Sequence, residues 1–280
     1  MAKCSYCGEN AGFFKDFHPE CKQRQLDGWA EMVATAHKAA SGQEPSEGLL
    51  TKLSSISQSS YLPDSAQRHA LVAGWGQALD SFLDDTVLTQ DEQATLLGFA
   101  NSFGLTKEEL NTNGAFDRAI KANILSELLQ GRLPEAQVNF SLPLNLKKNE
   151  TVVYLFQSVT YLEERTRRKY VGGSHGVSIK VMRGVYYRVG AFKAAPIITS
   201  QMEHVDSGIL VVTNENLYFQ GSRKTFRVPY SKIVGFTQYS DGIGFQRDAA
   251  SAKPQTFVTG DGWFTCNLIE SLARMAEERR

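Results

Sequence analysis

The sequence has no long apolar run and no surplus of positive or negative charge. Beyond its first 21 residues it has a single cysteine. No segment approaches the roughly 20 consecutive apolar residues that span a bilayer, and no signal peptide is evident. Lys and Arg balance Asp and Glu at 30 each. Because Cys266 is the one cysteine outside the N-terminal cluster, a disulfide framework is not expected. These absences predict a cytoplasmic protein without a transmembrane segment, with peripheral contact at the inner membrane left open.

Motifs of the common enzyme classes are scarce as well. No phosphate-cradling glycine motif occurs. Ser174 and His175 lie side by side in a glycine-rich loop, and possible partners for them are His204, Asp206 and Cys266. Adjacent residues of a strand face opposite sides, however, and glycines in such a loop favour a hairpin turn. The sequence therefore predicts a protein that is not an enzyme.

The head of the chain carries a Cys-x-x-Cys pair and a His-x-x-Cys pair ten residues apart, formed by Cys4, Cys7, His18 and Cys21. A two-residue spacer lets both side chains of a pair reach one ion, and this spacing is typical of structural zinc sites. Four protein ligands leave the zinc no open position for water, which favours a stabilising role over a catalytic one. The alternative is a set of reduced cysteines near a loose terminus.

This motif resembles the short zinc ribbons and treble-clef-like knuckles that open many bacterial multi-domain proteins. The resemblance covers residues 1–24. It implies a zinc knuckle, and such knuckles serve nucleic-acid binding, protein binding and stabilisation alike.

Charge is distributed unevenly along the chain. Residues 1–139 hold 11 Lys and Arg against 18 Asp and Glu, whereas residues 140–280 hold 19 against 12. An acidic half followed by a basic half indicates that the basic half meets an anionic partner, or that the halves meet each other.

Hydrophobic spacing divides the chain into a helical part and a β part. From residue 22 onward, apolar residues recur at the three-and-four spacing of amphipathic helices, predicted over about 22–42, 46–57 and 64–85. Thr89 with Glu92, and Thr106 with Glu109, fit the capping box that begins a helix. The apolar positions expected to face the core include Leu26, Leu97 and Ile120. We predict a zinc knuckle over 1–24, a helical domain over 25–139 and a β domain over 140–280.

The segment 84–110, DDTVLTQDEQATLLGFANSFGLTKEEL, resembles the helical repeats of TerB-like tellurite-resistance modules. In that family acidic clusters can hold a divalent metal, which draws attention to Asp84, Asp85, Asp91 and Glu92. The alternative is that the helix dipole favours acidic residues in a first turn.

After Pro143 the spacing changes to the period of two that is typical of strands. Long strands are predicted over 151–163 and 176–190, and shorter ones over 208–213, 216–220, 225–229, 232–238, 242–247 and 255–259. A helix follows from Trp263 to Glu278, with its buried stripe at Leu268, Ile269, Leu272 and Met275. The fold class is therefore α+β: a knuckle, a helical bundle and a small antiparallel barrel or split sandwich capped by a C-terminal helix.

The runs GILVVTNENLYFQGSRKTFRVPYSKIVGF, 208–236, and DGIGFQRD, 241–248, resemble the bacterial pleckstrin-homology-like and GRAM-like domains. Thr213 with Asn214 and the Leu-Tyr-Phe run 217–219 carry the likeness. The resemblance implies a small β-barrel; lipid, peptide and purely structural roles all occur on this fold.

Within that stretch, residues 215–222 read ENLYFQGS, the recognition sequence of tobacco etch virus protease. Linkers for tag removal flank domains, whereas this segment lies inside a predicted hairpin. We interpret the match as a coincidence that carries no native function; engineering is the alternative.

A candidate binding surface is basic. It comprises Arg165, Arg167, Arg168 and Lys169 in one run, continued by Lys180, Arg183 and Arg188. Such a patch can hold the phosphate groups of lipids or of nucleic acid through charge-assisted hydrogen bonds. The alternative is a solvated strand edge whose basic residues prevent aggregation, and Glu163 and Glu164 directly precede the run.

Together these observations predict a non-enzymatic intracellular adaptor with a structural zinc site. Its basic pleckstrin-homology-like domain is expected to dock to a protein or to an anionic membrane surface. The alternative is a nucleic-acid-binding protein that uses the knuckle and the basic strand patch together.

Overall fold

The computed structural model describes residues 2–12, 15–85, 88–135, 144–171, 177–182, 185–189, 195–249 and 252–279. For residues 85, 166–171, 177–182, 185–189 and 195–200 the description covers the backbone path alone. The chain divides into two compact units, residues 1–132 and 133–280. The fold is mixed α+β, as the sequence predicts, while the finer three-part division stays a prediction.

The first unit begins with a short hairpin and continues as a helical bundle. The hairpin pairs strands β1 (Ala2–Lys3) and β2 (Asn10–Gly12). The helices that follow are α1 (Pro19–Ala40), α2 (Leu49–Ser59), α3 (Ser65–Phe82), α4 (Gln90–Ser102), α5 (Lys107–Leu110) and α6 (Ala115–Leu129).

Local signals set several of these helix ends. Both predicted capping boxes are present: Thr89 begins α4 and Thr106 begins α5, each with the glutamate three residues on closing the reciprocal bond. Pro19 stands in the first turn of α1, where a missing N–H costs nothing. Gly42, with a φ of 74°, supplies the left-handed residue just after α1.

Helices α1 and α3 approach each other closely through small residues. A Cβ at Gly74 of α3 would lie 2.6 Å from the Cβ of Ala36 on α1, so glycine is required there. Around this contact the core collects Met32, Leu53, Trp75 and Leu79. The Trp75 indole N–H donates to the carbonyl of Leu96 at 3.0 Å, which ties α3 to α4.

Three apolar positions expected in this core lie instead toward solvent. Leu26, Leu97 and Ile120 are 52%, 58% and 40% exposed. Helix α4 turns Leu96 and Phe99 inward. Leu97 lies about 100° around the helix from Leu96 and falls outside the arc that Leu96, Phe99 and Ala100 bury.

The second unit is a seven-stranded antiparallel sheet with a terminal helix. Its strands are β3 (Val152–Val171), β6 (Ala195–Thr213), β7 (Asn216–Gly221), β8 (Thr225–Pro229), β9 (Ile233–Gln238), β10 (Gly242–Arg247) and β11 (Gln255–Val258). They lie in the order β8-β7-β6-β3-β11-β10-β9, so the first strand pairs with the last. A separate hairpin joins β4 (Val177–Met182) to β5 (Val185–Val189), between β3 and β6 along the chain.

This sheet must curl. Strands β8 and β9 are its two edges, six strand spacings or about 29 Å apart if the sheet were flat. Only four steps separate Pro229, which ends β8, from Ile233, which begins β9, a reach of at most about 14 Å. The rings of Phe226 on β8 and Phe257 on β11 accordingly lie 6.2 Å apart, across three intervening strands. The curled sheet encloses an aromatic core.

Helix α7 (Gly262–Glu278) buries the predicted stripe of Leu268, Ile269, Leu272 and Met275. Asp261 caps its first turn by accepting from the Phe264 N–H at 3.0 Å. Within the described residues, none of the helices combines the length and apolar character needed to cross a membrane.

Two strand predictions require correction. The run 176–190 is predicted as one strand, but its described residues, 177–182 and 185–189, form the β4–β5 hairpin, in which Met182 pairs with Val185. Strand β3 extends beyond residue 163 to Val171, and β6 begins at Ala195 instead of residue 208. The polar sequence 164–171 lacks alternation, and its strand character comes from pairing with 195–202.

Candidate metal centre

The two cysteines of the first pair lie on a turn between β1 and β2. The Cys4 N–H donates to the Glu9 carbonyl at 2.7 Å, and the Gly8 N–H donates back to the Cys4 carbonyl at 2.9 Å. Gly8 has a φ of 76°, a conformation that glycine adopts without cost. This closed turn holds Cys4 and Cys7 on one side of the loop.

The second pair lies at the beginning of α1. His18 is the residue before the helix, with an extended backbone at φ −84° and ψ 135°, and Cys21 follows in the first turn. The Ser5 N–H donates to the Asp16 carbonyl at 2.9 Å, which joins the two ligand-bearing segments. A local turn and a helix start therefore bring all four side chains together.

The four donor atoms form a compact set, with every pair within 4.8 Å. The Nδ1 atom of His18 lies 3.4 Å from the Cys7 Sγ and 3.7 Å from the Cys21 Sγ. In a tetrahedral zinc site with Zn–S near 2.3 Å and Zn–N near 2.0–2.1 Å, the S–N separation is about 3.6 Å. The cluster can therefore hold a metal ion, and these two S–N distances are close to those of a tetrahedral site.

The orientation of the His18 ring is set by a residue that is not one of the four candidate ligands. The Nε2 atom of His18 lies 3.1 Å from the carbonyl oxygen of Asn10. Because a carbonyl can only accept, Nε2 carries the proton and Nδ1 presents its lone pair to the thiols. The same hydrogen bond to the Asn10 carbonyl raises the pKa of His18. Sequence reasoning missed Asn10, because any residue can supply a backbone carbonyl.

The thiols differ in acidity. Burial raises the pKa of Cys4, but the backbone N–H groups of Cys7, His18 and Tyr6 outweigh it and lower that pKa to about 6. Burial, together with hydrogen bonds to the sulfurs of Cys7 and Cys4, raises the pKa of Cys21 to about 11. A divalent cation among these sulfurs would favour the thiolate form of Cys21.

Of the predicted basic surface, the structure describes the side chain of Arg165, whose guanidinium lies 3.6 Å from the Glu203 carboxylate. Arg167, Arg168 and Lys169 lie on β3, where they pair with Thr199, Ile198 and Ile197. Lys180 and Arg188 share one face of the β4–β5 hairpin by register. Arg183 lies outside the described residues. Strand β3 and the β4–β5 hairpin thus carry the basic positions that the structure describes.

Of the residues considered for catalysis, His204 and Cys266 have other partners. Loop 172–176, with Ser174 and His175, lies outside the described residues and carries the letters Gly-x-Ser-x-Gly. The strands β3 and β4 flank it, whereas a nucleophile elbow joins a strand to a helix. The Nε2 atom of His204 lies 3.0 Å from the Ser207 hydroxyl, and the Cys266 thiol donates to the Glu270 carboxylate at 3.3 Å.

Asp206 is held by a ring of donors. Its carboxylate accepts from the N–H groups of Arg223 and Lys224 at 2.6 and 2.8 Å, and from the Ser222 hydroxyl at 3.0 Å. Burial acts to raise the pKa of Asp206, but these hydrogen bonds lower it to about 2. The carboxylate therefore anchors the turn between β7 and β8.

Glu150 plays a similar part at the turn between β6 and β7. It accepts from the Thr213 hydroxyl, the Asn216 amide and the Tyr218 hydroxyl, each at 2.6 Å. Thr213 also lies within the run that carries the resemblance to pleckstrin-homology-like domains. Within that run, Thr213, Asn216 and Tyr218 therefore hold the turn through Glu150.

The acidic residues singled out in segment 84–110 lie at a helix start or in the turn that follows α3. Asp91 and Glu92 lie in the first turn of α4, and Glu92 completes the capping box. Asp84 lies in a short 3₁₀ turn over Leu83–Asp85. Among the residues that the structure describes, Cys4, Cys7, His18 and Cys21 form the only group of three or more His, Cys, Asp or Glu side chains close enough to hold a metal ion.

No protein-family model matches the chain, and no curated protein matches it either. The likeness to zinc knuckles, TerB-like repeats and pleckstrin-homology-like domains therefore rests on the motifs alone. What the geometry adds is a four-donor cluster that can hold a metal ion, on a mixed α+β fold.

Proposed function

We propose that this protein is a non-enzymatic intracellular adaptor that carries a structural zinc ion. The observation that carries the metal assignment is the direction of His18, which presents Nδ1 to three sulfurs while Nε2 is engaged by Asn10. Three sulfurs and one imidazole are a donor set that favours zinc. Four protein donors fill its tetrahedron, so the ion stabilises the link between the β1–β2 hairpin and α1.

Metal analysis of the purified full-length protein tests this. We expect one zinc per chain, lost in Cys21→Ser and kept in the matched control Cys266→Ser. Substitution by cobalt(II) is expected to give the intense visible absorption of a tetrahedral, thiolate-rich site. A wild-type protein that stays metal-free with excess zinc, or that binds it equally well as Cys21→Ser, would contradict the assignment.

The second unit is proposed to be a basic pleckstrin-homology-like docking domain. The single meander of strands, with the first strand paired to the last and a helix after it, supports this likeness. Residues 165–202 hold eight Lys and Arg and no Asp or Glu, which supports contact with an anionic surface. The partner is then a protein or an anionic membrane, approached from the cytoplasm.

An affinity pull-down compares the full chain with a version that has Gln in place of Arg167, Arg168 and Lys169. Specific partners are expected to be lost with these charges. A nucleic-acid-binding role is the second candidate, since the same charges suit phosphates. It predicts a gel shift of duplex or single-stranded nucleic acid that weakens steeply as salt rises; no shift at low salt would remove it.

A further inference from the structure

Strands β3 and β6 continue together past the rest of the sheet. The last β3 residue paired with β11 is Glu163, and β7 pairs with β6 no earlier than Gly208. Within the described strands, residues 165–171 and 195–201 therefore pair with each other alone. Seven residue pairs at about 3.3 Å each form a two-stranded ribbon about 23 Å long that projects from the sheet.

The β4–β5 hairpin lies between the two strands of this ribbon along the chain. We call the ribbon 165–171 and 195–201 together with Val177–Met182 and Val185–Val189 the basic arm. Its sequence context, residues 165–202, has eight positive and no negative side chains. A charge of one sign over so short a stretch attracts a polyanion and repels a second copy of itself.

The hairpin has two unlike faces. Val177 pairs with Val189 and Ile179 pairs with Tyr187, which places four apolar or aromatic positions on one face. Directly opposite residues and alternate residues share a face. The other face therefore holds the positions of Ser178, Lys180, Tyr186 and Arg188.

An isolated two-stranded hairpin is at best marginally stable in water, and packing of its apolar face against another surface stabilises it. Nucleic-acid phosphates would satisfy the charges of the basic arm and leave that face uncovered. An anionic bilayer offers hydrocarbon to the apolar positions and negative head groups to the basic ones. Charge and amphipathicity together favour this occupant.

We propose that the basic arm is a membrane-contacting element that docks on an anionic bilayer, with the Val177, Ile179, Tyr187 and Val189 face entering the interface. This inference rests on the proposed docking function and narrows its partner to a lipid surface. The ribbon supplies attraction through its charges, and the hairpin supplies apolar contact.

Sedimentation with vesicles tests whether the positive charges of the basic arm are needed for membrane binding. Full-length protein is incubated with vesicles of phosphatidylcholine alone or with added phosphatidylserine. We expect binding to the anionic vesicles only. The variant Arg167→Gln/Arg168→Gln/Lys169→Gln is expected to bind about 100-fold more weakly, at roughly fivefold for each charge.

A matched control removes the same charge elsewhere. Lys148→Gln/Lys232→Gln/Lys253→Gln changes three exposed lysines of the second unit outside the basic arm. Circular dichroism and zinc content confirm that both variants fold. We expect the control to keep most of the binding; an equal loss in the two variants would overturn the assignment to the basic arm while leaving the proposed docking function in place.

Insertion is tested with two neighbours on opposite faces. Tyr187→Trp places an indole on the apolar face, and Tyr186→Trp places one on the other. With lipids brominated in their acyl chains, we expect added quenching for Tyr187→Trp, relative to wild type, and little for Tyr186→Trp. Equal quenching of the two would overturn insertion by this face.

Three further outcomes bear on the inference. Wild-type protein that ignores anionic vesicles overturns it. If the protein binds a protein partner and this binding survives the substitutions in the basic arm, the basic arm is not the docking element, while the adaptor role stands. Binding to duplex nucleic acid without vesicle binding would favour the nucleic-acid alternative instead.

Discussion

Strand β7, Asn216–Gly221, makes up the middle of the protease recognition sequence 215–222 and buries its central residues. Leu217, Tyr218 and Phe219 are 1%, 5% and 0% exposed. The strand is hydrogen-bonded on one side to β6 and on the other to β8. A protease takes its substrate as a separate extended strand, so this segment must leave the sheet before it can be cut.

The cost of that departure follows from burial. Exposing three large side chains costs about 1.5–3 kcal/mol each, or about 5–9 kcal/mol together, before the ladder hydrogen bonds are counted. A factor of ten in population corresponds to about 1.4 kcal/mol. We therefore expect tobacco etch virus protease to cut the native chain roughly 10³ to 10⁶ times more slowly than an unstructured linker with the same eight residues.

A core substitution outside the recognition sequence should restore cleavage. The Phe257 ring lies 5.7 Å from that of Phe219 and 5.6 Å from that of Tyr161. Phe257→Ala is expected to lower the free energy of unfolding by about 3–5 kcal/mol, and so to speed cleavage at least a hundredfold. Val234→Ala, at a position 70% exposed, is the matched control and should change little.

The assay follows the loss of full-length chain on a gel, with the linker fusion digested in parallel. Digestion of both in denaturant confirms that the sequence itself is cleavable. Cutting of the native protein at the linker rate would refute the placement of β7 inside the sheet. Equal rates for Phe257→Ala and wild type would refute the idea that cleavage reports unfolding of this core.

Three further predictions concern stability. The hydrogen-bond donors around Asp206 lower its pKa to about 2, below the value near 4 in the unfolded chain. The stability that the Asp206 carboxylate contributes is therefore present above pH 4 and is lost as the pH falls toward 2. In Asp206→Asn, the free energy of urea unfolding should depend less on pH over that interval. Gly208→Ala should unfold at markedly lower temperature than wild type, because its Cβ would overlap the β7 backbone; Gly235→Ala, with no atom within 4 Å of its Cβ, should differ little in the same thermal melt. Trp75→Phe removes the hydrogen bond to the Leu96 carbonyl and should lower the urea unfolding free energy by about 1–3 kcal/mol.

Features that depend on neighbours in sequence were predictable. The capping boxes at Thr89 and Thr106 need only residues three positions apart. The metal-ligand spacing at Cys4 and Cys7 is local in the same way. The buried stripe of α7 follows from the period of a single helix.

Features that depend on distant partners were not predictable. The backbone carbonyl of Asn10 orients the ring of His18, eight residues away. Any residue has such a carbonyl, so the sequence gives no sign of this contact. Asp206 finds its donors 16 to 18 residues away. The extension of β3 over 164–171 exists because β6 lies beside it, since its own sequence is too polar to alternate. Leu97 was misplaced because it lies outside the arc of α4 that Leu96, Phe99 and Ala100 bury, and the apolar letters alone do not mark where that arc ends.

The pairing of β3 with β11 has a consequence for how the protein is made. Thr160 and Val258 are partners, yet almost a hundred residues of chain separate them. A ribosome must therefore finish β11 before the sheet can close, and until then the edge of β3 that β11 will cover stays open to other chains. Helices α1 to α6, whose contacts lie early in the sequence, can assemble during that wait.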